Sequence, residues 1–182
     1  MKENKIVYGL IGFGGMGKWH TEILENVPEI ELAGIYDIKE EKRKLAEEAG
    51  FHTYETEEAM LADESIDVIL VATPNDTHRP IALRAMEAGK NVIVEKPATL
   101  SLKELTELED MARKTGRFLT VHQNRRWDED LLTVREILKD QTMGEIFRIE
   151  SRVHGSRGIP GDWRKEKAHG GGMVLDWGVH LF

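Results

Sequence analysis

The stretch Ile6–Gly17, I-V-Y-G-L-I-G-F-G-G-M-G, begins as an apolar run and closes in glycines. Ile6–Ile11 has the composition of a strand, and Met16–Asn26 behind it has the spacing of a helix. Gly12, Phe13, Gly14, Gly15, Met16 and Gly17 fit the pattern G-x-G-x-x-G. That pattern is weak alone in a chain with 17 glycines. Here it leaves a strand and opens a helix, and an acidic residue, Asp37, ends the next strand 20 residues after Gly17. This context makes it a dinucleotide-binding turn. Gly12 permits the tight turn, Gly14 lets backbone N–H groups approach a diphosphate, and Gly17 lets the helix pack closely on the strand. The helix N-terminus adds partial positive charge. Asp37 can hydrogen-bond both ribose hydroxyls and repels a 2′-phosphate, which favours NAD over NADP; Lys39 and Arg43 stand close by with the opposite charge.

Outward from this turn, strands and helices alternate. Strands are expected at Glu31–Tyr36, Phe51–Tyr54, Val68–Ala72, Asn91–Val94 and Phe118–His122. Helices are expected at Lys39–Ala49, Pro80–Ala88 and Leu102–Lys114, each followed by a glycine. Val68–Ala72 is continuously apolar, as a parallel strand buried on both faces is. The alternation gives an α/β fold: a Rossmann-type parallel sheet with helices on both faces, over residues 1–122.

After residue 123 the pattern changes. Asp130–Lys139 reads as a helix, Glu145–Val153 alternates like a half-exposed antiparallel strand, and residues 154–172 form a loop rich in Gly, Arg and Trp. Met173–Phe182 reads as the start of a helix. One strand and two helices make too little core for a free-standing domain. Residues 123–182 are therefore expected to be the first part of a second domain.

Composition narrows the function. The 182 residues carry 25 Lys+Arg, 33 Asp+Glu and no Cys, for a net charge of −8. The acidic balance speaks against a nucleic-acid partner. The missing cysteines exclude a disulfide scaffold, a thiolate metal site and a cysteine nucleophile. No apolar run approaches the roughly 20 residues of a membrane span, and the start lacks the features of a signal peptide. A cytoplasmic location is the expectation. The net charge lies entirely in residues 1–122; residues 123–182 balance 10 basic against 10 acidic side chains. Arginines of that second segment either form solvated surface or line a site for an anionic or polyhydroxylated ligand.

Ligands of open parallel sheets bind outside the carboxyl ends of strands. Two further strand ends carry polar clusters, Thr73-Pro74-Asn75-Asp76-Thr77-His78 and Glu95-Lys96-Pro97. His78 reads as a capping or packing residue rather than a catalyst. Pro97 restricts Lys96 to extended geometry and leaves a cis Lys96–Pro97 bond open.

Taken together, G-F-G-G-M-G, A-T-P-N-D-T-H and E-K-P resemble the Gfo/Idh/MocA family of NAD(P)-dependent oxidoreductases. Gly170–His180, G-G-G-M-V-L-D-W-G-V-H, resembles that family's G-G-G-x-x-x-D-x-G-x-H substrate motif. Asn124-Arg125-Arg126-Trp127-Asp128 resembles the N-R-R-W-D stretch of members acting on inositols and related polyols. The resemblance covers the whole chain, whereas family members run to about twice this length and complete the second domain on a mostly antiparallel sheet. It implies hydride transfer between a nicotinamide and a hydroxyl carbon of a polyol, sugar or cyclitol. It assigns Lys96, Asp176 and His180 as catalytic and substrate-binding residues, with His180 as general base, Asp176 on a substrate hydroxyl or on His180, and Lys96 completing the relay. An imidazole suits proton abstraction near neutrality. Asp176 and His180, four apart, are expected on one helix face.

The resemblance also extends the cofactor set. Thr73, Pro74, Asn75, His78, Glu95, Lys96, Pro97 and Asn124 join the glycine turn and Asp37, with Asn75 toward the ribose. Asn124 and Arg126 face the nicotinamide side or the substrate. Trp163-Arg164 resembles a pair that reaches the cofactor pocket in relatives, beside a simple packing role. The seven His show neither H-x-x-x-H nor H-E-x-x-H spacing, so no metal site is expected. A homo-oligomer is implied for a full-length form. Two other readings stand beside the dehydrogenase: a glycosidase or epimerase that oxidises transiently with NAD, and a dinucleotide-binding module without turnover. The 182-residue form is expected to bind NAD and turn over little.

Overall fold

The computed structural model describes residues 5–140, 143–154, 158 and 161–181. The chain divides into two compact units, Met1–Val121 and His122–Phe182.

The first unit is built on a five-stranded sheet of β1 (Ile6–Ile11), β2 (Ile30–Tyr36), β3 (Val68–Val71), β4 (Asn91–Glu95) and β5 (Leu119–His122). Their spatial order is β2-β1-β3-β4-β5, with parallel pairing from β2 through β4. Five helices connect them: α1 (Gly15–Leu24), α2 (Glu40–Glu48), α3 (Glu57–Ala62), α4 (Asn75–Glu87) and α5 (Leu102–Thr115). Phe51–Tyr54, expected as a full strand, makes only one parallel bridge, Thr53 to Ile35. Counted as a sixth member beside β2, it turns the spatial order into third-second-first-fourth-fifth-sixth, the Rossmann order.

The sheet is buried on both faces, as the apolar runs demand. Ile69, Val71, Val92 and Val94 pack on one face under Met60 of α3, Ile81 and Met86 of α4 and Leu108 of α5. Leu10, Ile35 and Leu70 pack on the other with Phe13 and Ala46 of α2. Adjacent residues such as Ile69 and Leu70 serve opposite faces, and each such buried side chain contributes about 1.5–3 kcal/mol.

Two helices differ from expectation. Helix α4 starts at Asn75 rather than Pro80, and Pro80 lies inside it. Helix α3 lies where the sequence gives no expected helix; Thr56 caps it by accepting the Ala59 N–H at 3.1 Å.

The second unit holds α6 (Glu129–Asp140), close to the expected helix, but the rest departs from expectation. Glu145–Val153 is not a strand; the described residues beyond β5 contain none. A strand exists only through ladder bonds to a neighbour, and alternation alone cannot supply one. Phe147 in this stretch is 96% exposed. The predicted helix Met173–Phe182 is broken: α7 spans Met173–Asp176, and a separate 3-10 turn covers Gly178–His180. Gly178 and the β-branched Val179 favour neither continuation nor a second full turn. Phe182 lies outside the described residues, as do residues 155–157 and 159–160 of the stretch expected to form a loop. No helix among the described residues is long and apolar enough to cross a membrane.

Candidate functional site

In the first unit the sheet's direction of winding reverses between β1 and β3, and the polar clusters sit at the carboxyl ends of β1, β2, β3 and β4. That is where a doubly wound sheet opens a crevice. The glycines there separate into two kinds. Gly12 has φ +100°, and a Cβ on it would lie 2.6 Å from the Ala72 carbonyl oxygen. A Cβ on Gly17 would strike the Gly12 carbonyl. These two serve the chain's own packing. A Cβ on Gly14 or Gly15 would meet no atom within 4 Å. These two leave room in front of α1, whose N-cap is Gly14 and whose first N–H groups receive no side-chain cap. Uncapped N–H groups facing open space fit a diphosphate, on both hydrogen-bonding and dipole grounds.

Asp37 follows β2 and binds the glycine turn directly. Its Oδ2 accepts the Phe13 N–H at 2.8 Å, and its Oδ1 accepts the Lys39 N–H at 2.9 Å. Arg43 donates to the Asp37 carbonyl at 2.7 Å, so this basic side chain stands at the same corner. The Phe13 ring is buried edge-on against Phe51, with centroids 6.1 Å apart, and works as core.

At the end of β3, the Thr77 hydroxyl lies 2.7 Å from both Thr73 Oγ1 and the Pro74 carbonyl, and Asn75 is buried. His78 is fully buried between two strand-end loops: Nε2 lies 2.8 Å from the Thr73 carbonyl and Nδ1 lies 2.8 Å from the Pro97 carbonyl. Burial holds its proton affinity below the ordinary imidazole range, against the pull of the two carbonyls and of Glu95 and Asp76. At the end of β4 the Lys96–Pro97 peptide bond is cis. Glu95 is buried; its Oε1 lies 2.7 Å from His20 Nε2, and its Oε2 accepts the Lys96 N–H at 3.2 Å.

His20 is not among the residues that the sequence motifs single out. Its signal lay in the spacing Gly17, His20, Thr21, Leu24, which sets a histidine on the inner stripe of α1.

The second unit gathers the remaining candidates among themselves. Gly172 N–H donates to the Arg164 carbonyl at 2.9 Å, and a Cβ on Gly171 would strike that same carbonyl. The glycine run is thus folded onto the Trp163–Lys165 turn, a 3-10 turn capped by Asp162. Arg164 stacks over Trp163 at 4.4 Å, pairs with Asp162 at 2.8 Å, and brings its Nε 3.5 Å from Asp176 Oδ1. Arg125 stacks over Trp177 at 4.6 Å, and Gln123 donates to the Val179 carbonyl, so the turn Asn124–Trp127 is fastened to the segment Asp176–His180. Arg126 is exposed and Asn124 half-buried. Asp176 and His180 do not share one continuous helix, because the break at Trp177 separates them. The pairing of Arg164 with Asp176 and the support from Arg125 and Gln123 carried no signal in the sequence, since each depends on loop closure.

Residues 6–123 match the family described as "Oxidoreductase family, NAD-binding Rossmann fold". Residues 131–182 match its partner domain, the GFO/IDH/MocA C-terminal domain. The chain belongs to the Gfo/Idh/MocA oxidoreductase family. It is 39% identical over 183 residues to the uncharacterized oxidoreductase YdgJ of Escherichia coli (strain K12), covering 100% of this chain and 52% of that protein. It is 28% identical to scyllo-inositol 2-dehydrogenase (NADP(+)) IolW of Bacillus subtilis (strain 168), covering 99% of this chain and 51% of that protein. Among solved structures, an NAD-binding protein from Listeria innocua superposes with a TM-score of 0.94 at 51% identity, covering 97% of this chain and 52% of that one. The chain spans about half the length of the curated relatives it matches.

Proposed function

We propose that this chain carries the dinucleotide-binding domain and the first part of the substrate domain of an NAD(P)-dependent dehydrogenase acting on a hydroxyl carbon of a cyclitol, polyol or sugar. The observation that carries the reading is the uncapped start of α1, with its two open glycines, standing at the crevice end of the sheet together with Asp37 and the Glu95–Pro97 turn. The similarity to a protein named scyllo-inositol 2-dehydrogenase supports the cyclitol class. Asp37 favours NAD, while Arg43 at its carbonyl and the relative named for NADP(+) support a tolerance for the phosphorylated form.

Each residue has a bounded task. The first N–H groups of α1 hold the diphosphate, and Asp37 takes the adenosine ribose hydroxyls. Asn75 meets the nicotinamide ribose. A nicotinamide dinucleotide held there would supply the hydride acceptor for the carbinol carbon, which leaves the hydroxyl proton to the chain's own residues. His180 takes the hydroxyl proton as general base, and Lys96 orients that hydroxyl and completes the relay. Arg164 holds Asp176 in place to receive a second hydroxyl. Trp163, Asn124 and Arg126 line the cofactor and substrate sides.

The test is a panel of inositols and aldoses with NAD and NADP, run on a form as long as its relatives, with dinucleotide titrations on the 182-residue chain. Reduced nicotinamide is expected to accumulate with at least one free cyclitol or polyol. Lys96→Ala lowers turnover by about 100-fold or more while dinucleotide affinity changes little. Asp37→Ala narrows the preference for NAD over NADP. Release of sugar without reduced nicotinamide, or turnover indifferent to Lys96, refutes the proposal.

A further inference from the structure

The lysine's backbone is not held by the strand alone. His20, on the inner stripe of α1, and Glu95, the last residue of β4, are both buried, with side chains 4% and 5% exposed. The Glu95 carboxylate has two faces: Oε1 at 2.7 Å from His20 Nε2 and Oε2 accepting the Lys96 N–H at 3.2 Å. Trp19 lies edge-on against the His20 ring, with centroids 5.2 Å apart, which fixes the ring's plane. Hydrogen bonds to a charged group contribute more than neutral ones, and a buried carboxylate that loses a donor is costly to leave so. The carboxylate thus links the helix to the lysine's peptide unit by a contact at each of its oxygens.

We propose that His20 is a positioning residue for Lys96: through Glu95 it ties the helix that begins at the glycine turn to the backbone N–H of the lysine. Helix α1 spans Gly15–Leu24, so its first turn and His20 belong to one hydrogen-bonded element. A diphosphate seated at its first turn loads the same rod that His20 anchors less than two turns later. Through Glu95 the same helix thus holds the peptide unit from which the Lys96 side chain departs. The consequence for turnover rests on the reading of Lys96 given above; the coupling of His20 to the Lys96 backbone does not.

Two variants separate this role from packing. Gln at position 20 carries its amide nitrogen where Nε2 of the ring sits, whereas Asn is one methylene short of Glu95. Amide hydrogen exchange is followed by NMR on the 182-residue chain without ligand. His20→Asn is expected to speed exchange at Lys96 about tenfold or more while Val92 and Val94 keep their protection, and His20→Gln to restore Lys96. Equal acceleration along all of β4 in both variants, or an unchanged Lys96 amide in His20→Asn, overturns the proposal. Should His20→Asn fail to fold, the wild-type chain answers: nitrogen-15 spectra are expected to place the ring hydrogen on Nε2 and the Lys96 amide proton well downfield, and a ring protonated only at Nδ1 overturns the coupling. In a form that turns over, kcat falls about tenfold in His20→Asn while the dinucleotide KM stays within about twofold. A chain that binds no dinucleotide sinks the functional proposal, and the exchange measurement still decides this one.

Discussion

Gly15 and Gly17 stand two residues apart in the same turn and answer to different masters. A Cβ at position 17 collides with the Gly12 carbonyl, and backbone cannot step aside as a flexible side chain can. Gly17→Ala is therefore expected to cost about 1–3 kcal/mol in urea unfolding and to lose dinucleotide binding with it. A Cβ at position 15 meets nothing within 4 Å, and the residue is already helical. Gly15→Ala is expected to stabilise the fold by about 0.4–1 kcal/mol, yet to weaken dinucleotide affinity, as titration calorimetry will show. The motif G-x-G-x-x-G was legible as a string. Which of its glycines the chain needs for its own packing, and which face open space, became visible only when the Gly12 carbonyl and the start of α1 were placed. Asp37 makes the same point. Its position at the end of β2 was readable, but its grip on the Phe13 N–H was not, since that bond closes 24 residues of chain.

Among the elements, α4 shows how a buried side chain fastens a helix to its surroundings. His78 reaches the Thr73 loop on one side and the Pro97 loop on the other, so the two polar strand ends share one ring. Its folded proton affinity lies below the ordinary value, chiefly through burial. An unfolded chain takes up this proton near pH 6.5 and the folded chain does not, so stability is full above that pH and declines as the pH falls through the lowered folded value. Urea midpoints between pH 8 and pH 5 are expected to drop for the wild type, with a slope no steeper than about 1.4 kcal/mol per pH unit from this group, and to flatten in His78→Gln. The helix itself began five residues earlier than its proline suggested, because Asn75–Arg79 adopt helical geometry ahead of Pro80. Short elements were the least legible. The six residues of α3 carry too few turns for a periodic signal, and Phe51–Tyr54 shrank to one bridge at the sheet margin.

For the molecule as a whole, burial is unevenly distributed. Every buried apolar side chain among the described residues lies between Tyr8 and Leu108, within the first unit. Helix α6 keeps Leu131, Leu132, Val134, Ile137 and Leu138 more than a third exposed. Hydrogen exchange is expected to follow this division: amides of β1 and β3 exchange only with global unfolding, while those of Glu129–Asp140 exchange through local opening at far lower cost. Comparable protection in both units contradicts the division. The linear order of residues sufficed for the parallel sheet, its two-sided burial, the glycine turn and the family, because alternation of apolar runs with helical periods and contiguous motifs are local properties. Folding in space settled what depends on distant partners: that His20 meets Glu95, that Arg164 meets Asp176, that the alternating stretch Glu145–Val153 has no ladder, and that Asp176 and His180 fall on either side of a break. Each of these requires a group far along the chain to arrive at hydrogen-bonding distance, and no window of neighbouring residues encodes that arrival.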